Sequence, residues 1–288
     1  MFEHIMLECA SLSSERIGSA VRDSIARHRL AYLRGFPLEV ETYISLLETL
    51  GDPCPNYAAS STKEAYRLHP VVNVVRCQPA PADGVQRVQE KSGALVMHTG
   101  RSFARRRPRH LAMLMADPGW TDFEPGRNGE SLIVRWGDVL LAMREGYPAQ
   151  WTEDLRVLTS YAISFPASHL DEVSSELPLL YVPCTPCTPG PVGPAFDVAA
   201  RLPQDLGRLR SAAERIKDGD RWFEAVERFA ATANDPAVQH RYEMRAGDVV
   251  IIDNDRYGHG RCEVVATRQG DDGAQVVNAR TIWSVNIE

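Results

Sequence analysis

The sequence has no apolar run that approaches the roughly 20 residues with which a helix crosses a bilayer. Its first residues lack the basic segment followed by an apolar run that marks a secretory signal. Positive charge is in deficit, since 38 acidic residues outnumber 32 Lys and Arg, and this disfavours a general binder of nucleic acid. No Walker-type phosphate loop occurs, so nucleoside triphosphate hydrolysis is not indicated. We therefore expect a cytoplasmic protein that acts on a small molecule, with neither a membrane nor a nucleic-acid polymer as partner.

Cysteine is sparse, with six residues dispersed over a chain of 288, which favours free thiols over a disulfide framework. No internal repeat is found, which argues against a solenoid or a propeller. The hydrophobic fraction of 44% is ample for a large core. We expect a single domain over residues 1–288, and the sequence leaves its oligomeric state open.

Short apolar runs bounded by turn residues predict strands along much of the chain. They lie before Gly35 and at 71–75, 93–98, 131–134 and 249–254. Four segments carry apolar residues at helical spacing, namely 13–27, 40–50, 136–144 and 203–231. The pattern predicts a mainly-β barrel or sandwich decorated by helices, with a helical insertion at about 197–240.

Two histidines directly follow strand-like runs, His98 in ALVMHTGRSF and His259 in GDVVIIDNDRYGHGR. A pair of histidines alone means little, because a satisfied core or surface histidine is the commoner case. Their surroundings are more informative. The segment 246–261, the run H-T-G-R-S-F from His98 and the run N-G-E-S-L at 128–132 resemble motifs of the taurine dioxygenase and clavaminate synthase-like family of 2-oxoglutarate oxygenases.

The resemblance covers nearly the whole chain in the family's order, from L-R-G-F-P at 33–37 to A-R-T-I-W-S-V-N-I at 279–287. It implies a double-stranded β-helix, the jelly roll of cupin-like proteins. It also implies an enzyme that uses Fe(II), 2-oxoglutarate and O2. Within the family's arrangement of two histidines and one carboxylate, His98 and His259 are the implied metal ligands.

The chain departs from the family at the carboxylate ligand, which normally stands two residues after the first histidine and is here Gly100. Because side chains alternate along a strand, we expect residues 98 and 100 to face the same way, with a hydrogen atom in place of the carboxylate. This H-x-G departure characterises the radical halogenases of the family, in which chloride fills the open position. Gly100 is therefore the predicted catalytic and halide-site residue. The alternatives are a hydroxylase with another ligand and a non-catalytic relative in which Gly100 merely relaxes a strand end.

The resemblance also implies residues for the co-substrate. Arg280 on the last strand would form a bidentate pair with the distal carboxylate of 2-oxoglutarate, a role that suits its planar guanidinium. Ser131 aligns with a family Thr or Ser that contacts the same molecule. Arg268 is the alternative to Arg280, because the connection between His259 and Arg280 is longer than in simple relatives.

An arginine-rich segment follows the first histidine in an otherwise acidic protein, where the family's substrate-binding wall lies. The predicted substrate contacts in it are Arg101, Phe103, Arg105, Arg106 and Arg107. Runs of charge are commonly solvated, but guanidinium groups beside a reaction centre suit a phosphate. We expect chlorination of an unactivated C–H bond in a nucleotide such as deoxyadenosine monophosphate, with a free amino acid as the alternative substrate. Asn73 and Trp222 fit either a pocket wall or the core.

Overall fold

The computed structural model describes residues 5–55, 67–77, 90–102, 107–163, 176–182 and 197–288. Within these ranges the strands are β1 (Met6–Glu8), β2 (Leu30–Arg34), β3 (Pro53–Cys54), β4 (Arg67–His69), β5 (Val72–Arg76), β6 (Leu95–His98), β7 (His110–Asp117), β8 (Ser131–Arg135), β9 (Leu180–Tyr181), β10 (Ala199–Ala200), β11 (His240–Tyr242), β12 (Val249–Asp253), β13 (Tyr257–Arg261), β14 (Thr267–Gln269), β15 (Gln275–Val277) and β16 (Thr281–Ile287). The helices are α1 (Ser14–His28), α2 (Val40–Glu48), α3 (Trp136–Gly146), α4 (Trp151–Ser160), α5 (Gly207–Ala213) and α6 (Gly219–Ala233).

Two larger sheets enclose an apolar interior. The first has eight strands in the order β1-β2-β12-β7-β16-β5-β4, with β3 also paired to β16, and the second has four in the order β11-β8-β13-β6. Leu30, Val250 and Ile282 of the first sheet pack with Ile133 and Tyr257 of the second in one buried cluster. The mainly-β, jelly-roll fold with helical decoration that the sequence predicts is therefore confirmed.

Helices cover the outward faces of both sheets. In β12, Val249 and Ile251 belong to the cluster that includes α1 and α2, whereas Val250 and Ile252 lie between the sheets. Burial on both faces explains why this strand is continuously apolar instead of alternating. On the second sheet, Leu132 and Val134 of β8 pack in a cluster with α3, α4, α5 and α6. The two histidine-bearing strands, β6 and β13, are thus held on a rigid, covered sheet.

The stretch 203–231, for which the sequence predicts a helix, contains two helices. Asp218 adopts a left-handed conformation with φ of 64° between α5 and α6. A Cβ at Gly219 would lie 1.9 Å from the Ala213 carbonyl oxygen, so the chain can reverse this tightly only with glycine there. Helix α4, which the sequence pattern did not predict, packs against α6 through an ion pair between Asp154 and Arg228.

No helix in the described ranges has the length and apolar character that a membrane span requires. The described cysteines, Cys9, Cys54, Cys77 and Cys262, are free thiols, in agreement with the sequence. Cys184 and Cys187 lie outside the described residues.

Candidate active site

The two predicted metal ligands stand side by side. His98, the last residue of β6, is the register partner of His259 on β13. Their ring centroids are 4.2 Å apart, and their planes are inclined by 46°. The His98 Nδ1 lies 3.0 Å from the carbonyl oxygen of Val96, which orients its ring. The pairing of two strands thus brings residues separated by more than half the chain close enough to share one metal ion.

Both imidazoles are in an environment that suits metal binding. Burial lowers the pKa of His98, and burial together with the neighbouring His98 lowers the pKa of His259 well below its usual value. The neutral imidazole that results is the form that binds metals. The buried Nδ1 of His259 has no hydrogen-bond partner among the described residues. This donor set fits a divalent transition metal such as Fe(II).

Gly100 lies close to His259, but not through the strand alternation expected from the sequence. Strand β6 ends at His98 and Gly100 lies in a turn, so side-chain alternation along a strand does not apply. A Cβ at Gly100 would nevertheless lie 3.5 Å from His259 Cε1 and 3.0 Å from the Oδ1 of Asn254. A longer side chain at position 100 would therefore start beside the second imidazole.

The Gly100 turn is fixed by hydrogen bonds on both sides. Asn254, fully buried, accepts from the Gly100 amide at 3.0 Å and donates to the Gly100 carbonyl oxygen at 2.9 Å. The Thr99 amide donates to the Leu202 carbonyl oxygen, and the Thr99 hydroxyl donates to that of Ala200, each at 2.8 Å. The backbone beside the histidine pair is therefore held in one conformation without a side chain at position 100.

No third ligand completes the pair within the described part of the chain. A search of these residues finds no group of three His, Cys, Asp or Glu that could hold a metal ion. Asp205 lines the same cavity as the histidines but belongs to no such group. Among the described residues, the two imidazoles therefore lack the third protein ligand of a two-histidine, one-carboxylate arrangement.

A cavity of about 440 Å³ opens onto the histidine pair. It brings together six of the residues predicted from the sequence, namely His98, Gly100, Arg101, Ser131, His259 and Arg280. Asn73, which the sequence left as wall or core, also lines it, whereas Trp222 is fully buried in the cluster of helices. The volume lies in the range of small-molecule sites, which is about 300–1,000 Å³.

Arg280 is a buried cation in the cavity wall, exposed by only 2%. Its Nε and Nη2 have no hydrogen-bond partner among the described residues. Burial, with a smaller contribution from the nearby charge of Arg261, lowers the pKa of Arg280 to about 9. A buried charge without a counter-ion is costly, so this wall favours an anionic ligand. The residues present fit the distal carboxylate of 2-oxoglutarate.

Arg261 is a second buried cation in this wall, which the sequence reasoning missed. Its guanidinium donates to the carbonyl oxygen of Gly93 at 2.7 Å and to that of Lys91 at 2.5 Å. It follows His259 by two positions on β13, and both residues line the cavity. Because side chains alternate along a strand, residues 259 and 261 face the same side, and this pattern in the sequence could have identified Arg261.

The N-G-E-S run has a packing explanation. Gly129 has φ of +69°, and a Cβ there would lie 2.7 Å from the Nε of Arg280. Only glycine lets the chain pass this close to the guanidinium stem. Ser131 is the register partner of Arg261, and its hydroxyl lies 3.4 Å from the sulfur of Met244. The motif thus brings Ser131 to the same wall as the two arginines.

Arg268, the alternative to Arg280, lies elsewhere. It sits on the hairpin of β14 and β15 with 47% of its side chain exposed. Its guanidinium is 3.3 Å from the Oδ2 of Asp122 and 4.4 Å from the ring centroid of Trp120. Since Arg268 does not line the cavity, the structure argues against its predicted role and favours Arg280.

Two of the predicted substrate contacts fall in the described residues. Arg101 lines the cavity and adopts φ of 49° in the turn that follows Gly100. Arg107 instead forms an ion pair with Asp255 at 2.9 Å and lies over the Tyr181 ring. It is not a lining residue, so its predicted substrate contact is corrected, because its charge is already used by Asp255.

The remaining predicted contacts, Phe103, Arg105 and Arg106, lie outside the described residues. A cation that was not predicted, Arg208 at the start of α5, lines the cavity near Asp205 and Gln204. No motif marks this segment in the sequence, and only the folding of α5 against the second sheet identifies it.

Comparison with known proteins places this geometry in a family. The family model "Taurine catabolism dioxygenase TauD, TfdA family" matches residues 7–274. A search of curated proteins finds no match.

Solved structures share the fold at low identity. A taurine dioxygenase from Burkholderia xenovorans has 13% identity and a TM-score of 0.59, with 98% of this chain and 85% of that chain covered. An asparagine oxygenase in complex with Fe(II), 2S,3S-3-hydroxyasparagine and succinate has 16% identity and a TM-score of 0.59, with 95% and 78% covered. The PvcB protein from Pseudomonas aeruginosa has 14% identity and a TM-score of 0.56, with 98% and 82% covered. With the family model matching most of its length, the chain belongs to the TauD/TfdA family of Fe(II)/2-oxoglutarate-dependent oxygenases.

Proposed function

We propose that this oxygenase is a halogenase, which chlorinates an unactivated C–H bond of a small, phosphate-bearing molecule, a nucleotide such as deoxyadenosine monophosphate. One observation carries the proposal. A Cβ at Gly100 would lie 3.5 Å from the Cε1 of His259, and no third His, Cys, Asp or Glu joins the pair among the described residues. A family enzyme without its carboxylate ligand has room for an exogenous anion at that position.

Two sets of cavity residues would hold the reacting groups, and we call them the histidine end and the arginine end of the cavity. His98 and His259 would bind Fe(II), and Arg280 with Ser131 would bind the distal carboxylate of 2-oxoglutarate. Iron with 2-oxoglutarate and O2 supplies the oxidising power for C–H cleavage, and chloride supplies the atom that is transferred. Asn254 holds the Gly100 turn so that the halide position stays open.

The protein's own contribution is placement and exclusion of water. Leu111, Met113 and Ile282 contribute apolar surface to the cavity, which limits access of water to the reacting carbon. A target carbon must be held nearer to the halide than to a competing oxygen, and an error of about 1 Å can cost a hundredfold in rate. Arg101, one residue from Gly100, is positioned to fix an anionic substrate group close to that point.

The charge of the cavity supports a phosphate-bearing substrate. Arg101 and Arg208 line the cavity in addition to the two buried arginines that face the co-substrate. Guanidinium groups bind phosphate oxygens in bidentate geometry, and two of them suit a phosphate monoester. Phe103, Arg105 and Arg106 remain predicted contacts on the same segment.

The test is anaerobic reconstitution with Fe(II), 2-oxoglutarate and chloride, followed by absorption spectroscopy. We expect a metal-to-ligand charge-transfer band that shifts when chloride is replaced by bromide. Addition of O2 with a mixture of nucleotides and amino acids, analysed by mass spectrometry, should give a product with the chlorine isotope pattern. A product that carries only hydroxyl would identify a hydroxylase, and absence of both the band and succinate formation would identify a non-catalytic relative.

A further inference from the structure

A pair of polar side chains faces the cavity from the first sheet, away from the histidines and the two buried arginines. Asn73 on β5 is the register partner of Ser284 on β16, and both line the cavity. Register partners on neighbouring antiparallel strands carry side chains about 5 Å apart on the same face. Asn73 and Ser284 therefore form one polar patch, which we call the β5–β16 pair.

The β5–β16 pair is buried, and one of its hydrogen-bond acceptors has no partner among the described residues. Asn73 is 6% exposed and Ser284 9% exposed. The Oδ1 of Asn73 is buried and has no hydrogen-bond partner among the described residues. A buried acceptor that lacks a hydrogen-bond partner destabilises the folded protein by about 1–3 kcal/mol. An apolar residue could fill this strand position without that cost, so packing of the core does not explain the asparagine. Such a group fits a donor that arrives with a ligand.

The pair is separate from the co-substrate wall. Ser284 follows Arg280 by four residues along the last strand, a distance of roughly 13 Å in extended chain. Between them on the last strand the lining is apolar, with Ile282 on β16 and its register partner Val75 on β5. A few polar groups in a mostly apolar pocket are what fix the orientation of a small ligand.

We propose that the β5–β16 pair is a substrate subsite, which binds a hydrogen-bond donor group of the molecule whose anionic group lies at Arg101 and Arg208. This inference rests on the proposed function for the reaction at the metal and narrows its substrate class. The substrate carries an anion and, at a distance from it, an amine or hydroxyl. The two guanidinium-bearing residues are partly exposed and the pair is buried, so the anion binds nearer the mouth and the donor binds deeper.

An adenine base matches this subsite. An asparagine amide can accept from the exocyclic amine of adenine and donate to the adjacent ring nitrogen at the same time. The ammonium group of an amino acid offers the same donor chemistry without the ring nitrogen. The experiment therefore compares both kinds of molecule.

The first measurement is binding to the anaerobic protein loaded with Fe(II) and 2-oxoglutarate, by calorimetry. The probes are deoxyadenosine monophosphate, the corresponding purine nucleotide without the exocyclic amine, and the free L-amino acids. We expect Asn73→Leu to weaken deoxyadenosine monophosphate roughly tenfold or more, and to weaken the amine-free nucleotide, which keeps the ring nitrogen, by a clearly smaller factor. Val75→Ala, on the same strand and the same cavity wall, is the matched control and should affect both nucleotides equally.

The second measurement is the thermal unfolding of the protein without added substrate. Because Asn73→Leu removes a buried acceptor that has no partner, its midpoint should equal or exceed that of the wild type. A fall of several degrees would show that Asn73 has a structural role and would overturn the subsite.

The outcomes separate this inference from the halogenase proposal. If an amino acid binds in place of the nucleotide, an equal loss of its affinity in Asn73→Leu supports the subsite. Unchanged affinity in Asn73→Leu for every probe that binds the wild type, or no binding of any probe to the wild type, overturns it. The mass of the product shows independently whether chlorine or hydroxyl has been added. If the product is hydroxylated and Asn73→Leu still weakens binding tenfold, the subsite proposal stands and the halogenase proposal is wrong.

Discussion

Two glycines lie beside the cavity, one at its arginine end and one at its histidine end, and only the first is required by the backbone. Gly129 has a left-handed φ and would place a Cβ within 2.7 Å of Arg280 and 2.6 Å of Val264. Gly100 has no such φ, and the one atom within 3.4 Å of its Cβ position is the side-chain Oδ1 of Asn254. Packing therefore explains the glycine at 129 but only weakly explains the glycine at 100.

The difference shows how each end selects its ligand. At the arginine end, Arg261 and Arg280 place buried positive charge in the cavity wall, which favours binding of an anion whatever reaction the enzyme catalyses. Among the described residues no carboxylate joins the histidine pair as a third ligand, which leaves room for an anion but does not require one. Electrostatics therefore determines binding at the arginine end and available space at the histidine end. Three substitutions test these two ends, and a fourth tests an arginine outside the cavity.

The largest effect is expected for Gly100→Asp. The new carboxylate would start beside His259 and could bind the metal in place of chloride. We expect chlorination to fall about a hundredfold or more, since even outer-shell partners of a metal are worth about 10- to 100-fold. Product analysis by mass spectrometry would show the loss, with weak hydroxylation in its place. Gly100→Ala, which needs only a shift of Asn254 by a few tenths of an ångström, is the control and should keep most of the chlorination; equal chlorination in Gly100→Asp would remove this residue from the halide site.

The second largest effect is expected for Arg280→Met, which removes the buried positive charge and keeps much of the side-chain volume. Truncating one partner of a buried charge pair costs about 2–5 kcal/mol, so 2-oxoglutarate affinity should fall about a hundredfold. The protein without ligand should be no less stable, because an unpaired buried charge is lost. Titration of the charge-transfer band measures the affinity, and the exposed Arg268→Met should leave it unchanged. A reversed result for the two arginines would transfer the co-substrate role to Arg268.

A smaller effect is expected for Gly129→Ala. Its Cβ would displace the Arg280 side chain and would also strain a backbone with φ of +69°. We expect about tenfold weaker binding of 2-oxoglutarate and about 1–3 kcal/mol lower free energy of unfolding, measured by calorimetric and denaturant titration. Gly35→Ala is a matched control, since Gly35 has φ of +68° with nothing within 4 Å of its Cβ position. Gly35→Ala should lower the free energy of unfolding without weakening the binding of 2-oxoglutarate. If both variants weakened 2-oxoglutarate equally, the close contact between Gly129 and Arg280 would have no role in binding.

The smallest effect is expected for Arg107→Met. Its guanidinium is paired with Asp255 outside the cavity, so the KM for the substrate should change by less than about twofold. Arg101→Met, which removes a cation from the cavity wall, should raise the same KM about tenfold. Steady-state kinetics with deoxyadenosine monophosphate compares the KM of the two variants. A large rise of KM in Arg107→Met alone would support the substrate contact that the sequence predicts for Arg107.

Much of the fold could be predicted because the strands of a jelly roll are short and strongly apolar. The run at 249–254 corresponds to β12 and the run at 131–134 to β8, and both are buried on two faces. The break within the helical stretch 203–231 was not predicted, because the reversal at Asp218 depends on the close approach of Gly219 to Ala213, which a local pattern does not contain.

The site was predictable where a motif carries it and not where the fold creates it. His98, His259 and Arg280 belong to recognisable runs, and the structure brings them to one cavity. Arg208 and Asn73 come from segments with no motif, and only the packing of α5 and the register of β5 with β16 assign them to the wall. Arg268 does not line the cavity, because the hairpin of β14 and β15 carries it outward.

The burial of Arg280 has a consequence for ionic strength. Mobile ions screen exposed charges over about 8–10 Å in ordinary buffer, but they screen buried groups much less. With 2% of its surface exposed, Arg280 should hold a dianion almost as firmly in concentrated salt as in dilute buffer. Binding of 2-oxoglutarate by this oxygenase should therefore tolerate concentrated chloride salts.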